Sequence, residues 1–343
     1  MKCDLLVFCA GFLLLAGCGS STKNEQSQSG IPIIFETDMG NDVDDALALD
    51  LLFKYADMGL VNFLGVSTNK ESPYSIEFLD VMKTWYGHPN LPLAKITHGA
   101  DCENDAINYA KVTCQYLEGG KSPFKRTHQD YGKIPESPQF YRSVLSKQPD
   151  NSVIVVSVGF STNIARLLDT QPDAFSPLTG KELVAKKVKF LSMMAGNMAD
   201  GNMLEYNVVR DVPAARKVFD EWPTPIVVSP FELGVTILFP ATVIQDELAK
   251  TMPNPLKIAY ESYGKMPYNK ETWDLTSVLF AVEGARNYFS VSEKGRVTVD
   301  AEGHTWFQSD PNGKHTYLIV NNEQAENIKN RFVELISAKP KNK

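Results

Sequence analysis

The sequence predicts an α/β fold, a single domain with an open, mostly parallel sheet flanked by helices. Three observations predict it. Short apolar runs alternate with longer helix-periodic ones from Ile31 onward, the signature of βαβ units. The chain has 343 residues, 43% hydrophobic and 22% charged, enough for one large domain. Polar clusters also recur just after the strand-like runs, where open parallel sheets gather their ligands.

The elements follow in order. "IPIIF" is a short buried-strand run, and "DDALALDLLFKYADMG" has helix periodicity ending at Gly59. "LVNFLGVST" is a second strand, and "SIEFLDVMKTWYG" a helix stopped by Gly87. Later come the strands "SVIVVSVG", "VKFLSMMAG" and "TPIVVS", with helices in "STNIARLLD", "VPAARKVFDEW" and "WDLTSVLFAVEGAR". "RVTVDAEGHTWF…HTYLIV" reads as a β-hairpin, followed by a helix and a Lys-rich tail. The clusters "ETDMGND", "STNKE", "GFSTN" and "AGNMADGN" sit at strand C-termini, so motifs far apart in sequence can meet in one crevice. No repeat and no internal linker interrupts residues 31–338, read as one domain, with residues 339–343 as a tail.

The N-terminus precedes this domain. Lys2 and the apolar run Leu5–Ala16 are too short for a comfortable membrane span but suit a signal-peptide core over residues 1–17. "LAGC" resembles the lipobox of bacterial lipoproteins, with Cys18 as the lipidated residue, and residues 18–30 read as a flexible tether. The expected location is therefore the bacterial cell envelope, held at the membrane by a lipid anchor only. Among the other cysteines, Cys102 and Cys114 would lie ~18 Å apart on one continuous helix. A turn between them leaves a disulfide open. A net charge of −7 argues against nucleic acid as a partner, since phosphate needs a basic face.

"FETDMGNDVDDALALDLL" crowds Glu36, Asp38, Asp42, Asp44 and Asp45 together. Helix capping explains Asp44 and Asp45 but not Asp38 at the end of a buried strand. An EF-hand counted from Asp38 would need glutamate where Leu49 stands. An aspartyl phosphotransferase would need aspartate where Glu36 stands. The remaining reading is a hard divalent cation among oxygen ligands, for which Ca²⁺ is the best suited.

The stretch "DMGNDVDDALAL" resembles the aspartate cluster of the inosine–uridine-preferring nucleoside hydrolase superfamily. "VSTN", "SVGFSTNIA", "MMAG…GNMLEYNVVRDVPAA" and "WDLT" are similar to its later motifs, in the family's order. The resemblance implies a nucleoside-hydrolase-like fold and calcium-dependent hydrolysis of ribonucleosides to base and ribose. It implies Asp38, Asp45, the Val158 carbonyl and Asp274 as metal ligands, with Asp38 also the base that takes a proton from water. It implies Asp44 and Asn69 on the ribose hydroxyls, Glu205, Asn207 and Asn202 on the outer hydroxyls, and Met194 against the sugar ring. It also implies a homodimer or tetramer, with no interface located.

Three departures stand beside the resemblance. Glu36 replaces the first aspartate, Asn41–Asp42 read as a two-residue insertion, and Trp273 stands where many members carry a histidine acid. Trp273 either stacks on a purine or packs in the core. The five histidines offer no clear substitute acid; His98 follows a strand-like segment and either faces the crevice or has a structural role. The alternatives are hydrolysis of another riboside in the same pocket and a lipoprotein that binds nucleoside or ribose without cutting.

Overall fold

A computed structural model describes residues 1, 30–100, 108–199 and 201–342. The signal segment, Cys18, nearly all of the tether and Cys102 lie outside the described residues, while Cys114 is buried.

The chain begins β1 (Ile31–Thr37), α1 (Asp44–Asp57), β2 (Val61–Thr68), α2 (Pro73–Trp85) and β3 (Leu93–Ala94). After α3 (Tyr109–Cys114) and α4 (Ser137–Leu145) come β4 (Val153–Ser157), α5 (Thr162–Leu168) and α6 (Gly180–Lys187). β5 (Val188–Met194) leads to α7 (Tyr206–Arg210) and α8 (Val212–Glu221), and β6 (Ile226–Ser229) to α9 (Phe231–Gly234). β7 (Leu238–Phe239) and β8 (Lys270–Glu271) pair across α10 (Pro255–Tyr263), and α11 (Trp273–Glu283) follows. β9 (Ser290–Val291), β10 (Gly295–Val299), β11 (Thr305–Ser309), β12 (His315–Ile319) and α12 (Asn322–Ser337) complete the fold.

The central sheet runs β11-β10-β12-β6-β5-β4-β1-β2-β3. Along this path every pairing from β12 to β3 is parallel; the hairpin end is antiparallel, as is the pairing of β9 with β12. Side-chain alternation along the strands explains why both faces are covered. Ile33, Phe35, Ile154 and Val156 face one hydrophobic layer with α1 and α11, and Ile34, Val153, Val155 and Leu191 face the other. The hairpin read from sequence is present as β10–β11. Its last segment, however, leaves the hairpin register and joins β6 in parallel as β12.

The order β3-β2-β1-β4-β5-β6 reverses direction between β1 and β4. At such a reversal the neighbouring connections leave to opposite sides, opening a crevice at the strand C-termini. Asp38 follows β1 and Val158 follows β4 at that point. Trp85 and Tyr86 are packed on the buried face at the end of α2. Among the described residues no helix is long and apolar enough to cross a membrane.

Candidate active site

A cavity of about 310 Å³ opens at the reversal. Its acidic floor is built by Asp38, Asp42, Asp44, Asp45 and Asp274, with Asn41, Val158, Met194, Glu205 and Asn207 on its walls. Met203, Leu204, Tyr206, Phe231 and Trp273 line the rest. Leu204 and Tyr206 are 47% and 39% exposed, whereas Asp44, Asp45 and Asp274 are no more than 4% exposed. The carboxylates therefore form the deep end and the apolar residues the mouth.

Local sequence explains the floor. Gly40 adopts φ 114°, open to glycine at little cost, and its N–H donates to Tyr109 Oη at 2.8 Å. Ser75 Oγ donates to the Met39 carbonyl, so α2 and α3 both fix the loop after β1. A Cβ on Gly159 would come within 2.6 Å of the Asp38 nitrogen, so only glycine lets the exit of β4 pass there. Val43 caps α1 without any side-chain hydrogen bond, and Asp44 and Asp45 occupy the first helical turn. They are not caps of their own helix. Asp44 Oδ2 instead accepts from the Asp274 N–H at 3.1 Å, across to the open start of α11. Two helix N-termini thus converge on the cluster, and their dipoles favour negative charge there.

Asp44, Asp45 and Asp274 each present a carboxylate oxygen within 4.8 Å of the others. Burial first, then repulsion from neighbouring carboxylates (Asp42 on Asp44, Asp38 and Asp44 on Asp45, Asp44 and Asp45 on Asp274), pushes all three carboxyls well above the ordinary aspartate range. Burial also pushes Asp38 up to about 6, against the pull of Asn41 and Lys70. Such a set has an unmet demand for positive charge, and Asp42 Oδ1 is buried without a hydrogen-bond partner. Hard oxygens with that deficit fit a divalent cation. The expected ligand Asp38 shares the floor but stands outside the close triad, where Asp44 is found instead.

The expected sugar contacts divide. Glu205 is the N-cap of α7, accepting from the Asn207 and Val208 N–H groups and from Gly196 N–H at 2.9 Å. Burial pushes its carboxyl up to about 7 despite these donors. Asn207 Nδ2 donates to the carbonyls of Val158 at 3.2 Å and Met194 at 3.3 Å, which ties four expected residues into one wall. Asn69 and Asn202 are not on the wall. Asn69 is fully buried with Nδ2 on the Phe160 carbonyl at 2.8 Å, and Asn202 is exposed on its loop. The β2 terminus places Asn69 behind Gly159, so its Nδ2 is spent on the backbone that follows β4, while its Oδ1 is buried without a hydrogen-bond partner.

Glu36 likewise lies off the cavity wall. It accepts from Tyr141 and Asn163 in the opposite layer, and burial pushes it up to about 8. The sequence departure at this position therefore does not line the cavity. The Asn41–Asp42 departure is not, for both residues line the cavity.

At the mouth, Trp273 is half-buried and on the wall rather than sealed in the core. Its ring stacks on Phe231 with centroids 5.5 Å apart, and its Nε1 donates to the Phe231 carbonyl at 3.0 Å. No histidine lines the cavity among the described residues, and His98 is exposed elsewhere. Phe231, Leu204 and Tyr206 are not legible in the sequence as site residues, because an apolar or aromatic side chain at a cavity mouth looks like any core residue. Leu204 and Tyr206 flank Glu205, and that adjacency was the available signal.

A family model described as inosine-uridine preferring nucleoside hydrolase matches residues 33–330. Among solved structures, a plant nucleoside hydrolase superposes with a TM-score of 0.66 at 16% identity, covering 90% of this chain and 99% of that one. A purine-preferring ribonucleoside hydrolase from Gardnerella vaginalis gives 0.66 at 17%, covering 89% and 98%. An inosine-uridine preferring nucleoside hydrolase from Bacillus anthracis gives 0.62 at 15%, covering 89% and 99%. These structural likenesses concern the fold. No curated protein matches the chain by sequence.

Proposed function

The chain belongs to the inosine-uridine preferring nucleoside hydrolase family, and from that premise we propose that it is a calcium-dependent ribonucleoside hydrolase tethered in the bacterial envelope. Hydrolysis of an N-glycosidic bond is the reaction class of the family. The observation that carries the finer reading is the buried triad of Asp44, Asp45 and Asp274, short of positive charge at the foot of a cavity.

When bound, a calcium ion supplies the charge that keeps these carboxylates ionised and lowers the pKa of water. Asp44, Asp45 and Asp274 would hold it, with Asp38 and the Val158 carbonyl beside them. Asp38 takes the proton of the attacking water, a task suited to a carboxylate close to the reacting carbon. As the bond to the base breaks, the sugar acquires oxocarbenium character, which the acidic floor favours. Asp44, Glu205 and Asn207 hold sugar hydroxyls, and Met194 lies against the ring. The flat pair Trp273–Phe231 suits a nucleobase at the mouth.

Two measurements test this reading. Ribose release from inosine, adenosine and uridine should vanish on chelation and fall by on the order of 10³-fold in Asp38→Asn. Full activity in both cases would refute it. A mouth without histidine motivates a second reading, hydrolysis of another riboside or binding without cleavage. A nucleoside panel without turnover, beside cleavage of 4-nitrophenyl riboside or tight binding by calorimetry, would favour it. The anchor rests on "LAGC": labelled palmitate should enter the wild type and not Cys18→Ser.

A further inference from the structure

Two lysines are buried beside the acidic floor, a costly place for an ammonium group unless it is paired. Lys70 is 1% exposed and Lys270 is 3% exposed. Lys270 Nζ lies 3.0 Å from Asp42 Oδ2, 3.2 Å from Glu271 Oε2 and 4.4 Å from the centroid of the Trp273 ring. Burial pulls its pKa down, yet Asp44 and Asp42 raise it above the ordinary lysine value. On the other side of the floor, Lys70 Nζ donates to Asn41 Oδ1. Asn41 Nδ2 in turn donates to Asp38 Oδ2 at 2.6 Å.

The two cations thus reach the cluster through consecutive residues, Asn41 and Asp42. These are the same two that stand as an insertion within the aspartate motif. One lysine leans on the Asp38 side and the other on the Asp44 side, while the close triad lies on the same floor.

We infer that Lys70 and Lys270 are internal counter-ions of the carboxylate floor, coupled to it by Asn41 and Asp42, which hold the empty cluster together and weaken its grip on the divalent ion. They are positioning residues, acting on the site through its electrostatics. The inference rests on the proposed metal site and adds a sign to it. A positive charge a few ångströms from a cation site opposes the cation. Removing it must tighten calcium binding, even as the metal-free protein loses stability. A lysine that merely props up the loop would do the opposite, since its loss would loosen the ligands.

The test uses full-length protein stripped with EGTA and desalted, then titrated with CaCl₂ by calorimetry and melted with and without calcium. Lys70→Met and Lys270→Met should each lower the calcium dissociation constant on the order of tenfold. Their melting temperatures should drop in EGTA and recover toward wild type in saturating calcium. Lys70→Arg and Lys270→Arg, which keep the charge, should bind calcium within about twofold of wild type. A methionine variant that is soluble only with calcium is the extreme form of the expected result. Unchanged or weaker calcium binding in the methionine variants overturns the inference, as does failure to fold even with calcium present. A wild-type protein that takes up no calcium sinks the metal reading itself, and this inference with it.

Discussion

Asp80 and the triad of Asp44, Asp45 and Asp274 are the same chemical group, all closed to solvent, with opposite fates. Asp80 is fully buried on α2. It accepts from Thr127 N–H at 2.8 Å, Thr127 Oγ1 at 2.5 Å, His128 N–H at 3.0 Å and Tyr131 Oη at 3.1 Å. Burial alone would raise its carboxyl, but these donors, with Lys83 3.5 Å away, hold it below the ordinary aspartate value. The triad has few donors and many like charges, so its carboxyls are driven upward. Burial of a carboxylate therefore does not mark function by itself. What marks it is a charge the protein has buried and only partly compensated, because a ligand must then complete the site.

The largest expected effect comes from exchanging one carboxylate in each place. Asp45→Asn should reduce nucleoside hydrolysis on the order of 10³-fold or more. In EGTA the same variant should be at least as stable as wild type by urea titration, because a repelling charge is gone. Asp80→Asn should leave kcat within about threefold while lowering stability by roughly 3 kcal/mol, since its new NH₂ faces donors. Reversal of these two patterns would break the comparison.

A smaller effect is the pH dependence of stability without metal. The folded state raises Glu36 from 4.5 to about 8, Glu205 from 4.5 to about 7 and Asp38 from 3.8 to about 6. Between those limits the folded protein binds more protons than the unfolded chain, so stability falls as pH rises through the window. Urea midpoints in EGTA should accordingly decline from pH 5 to pH 8. Calcium should flatten the part owed to Asp38 and the triad, but not that of Glu36, which is off the cavity. Asp80 has the opposite sign, its contribution being lost as pH drops below the ordinary aspartate value. A rising midpoint across pH 5 to 8 in EGTA would contradict the compensation argument.

The smallest effect probes the mouth. Trp273→Ala should lower kcat/KM for inosine about tenfold, mainly through KM, the scale of one lost base–aromatic stack. Calcium affinity should change little, since the indole contributes no ligand. A loss confined to kcat would instead place Trp273 in the chemistry.

How much was legible in the sequence follows from distance along the chain. Strand and helix periodicities gave the parallel α/β architecture, because alternation of apolar residues is a local property of each element. The cluster around Asp38–Asp45 was legible for the same reason: its crowding is visible without any fold. Glu205, Asn207 and Asp274 needed the family's motifs, for nothing local distinguishes those three from capping or surface residues. Asn69 stood on the same motif evidence, yet it turns to the Phe160 carbonyl once β2 and β4 are set around β1. A motif identifies where a side chain starts, and the neighbouring strand decides where it ends.

By itself, then, the amino-acid order determined the succession of elements and the acidic loop after the first strand. Only the tertiary structure decided that α1 and α11 meet nose to nose, so that Asp44 caps the start of α11 and closes the triad. It also decided that Lys70 and Lys270, 200 residues apart in number, flank the same floor through Asn41 and Asp42. The reason is physical. Backbone propensity acts over a few residues, whereas electrostatic compensation depends on distance in space, which the chain acquires only when the sheet reverses its order between β1 and β4.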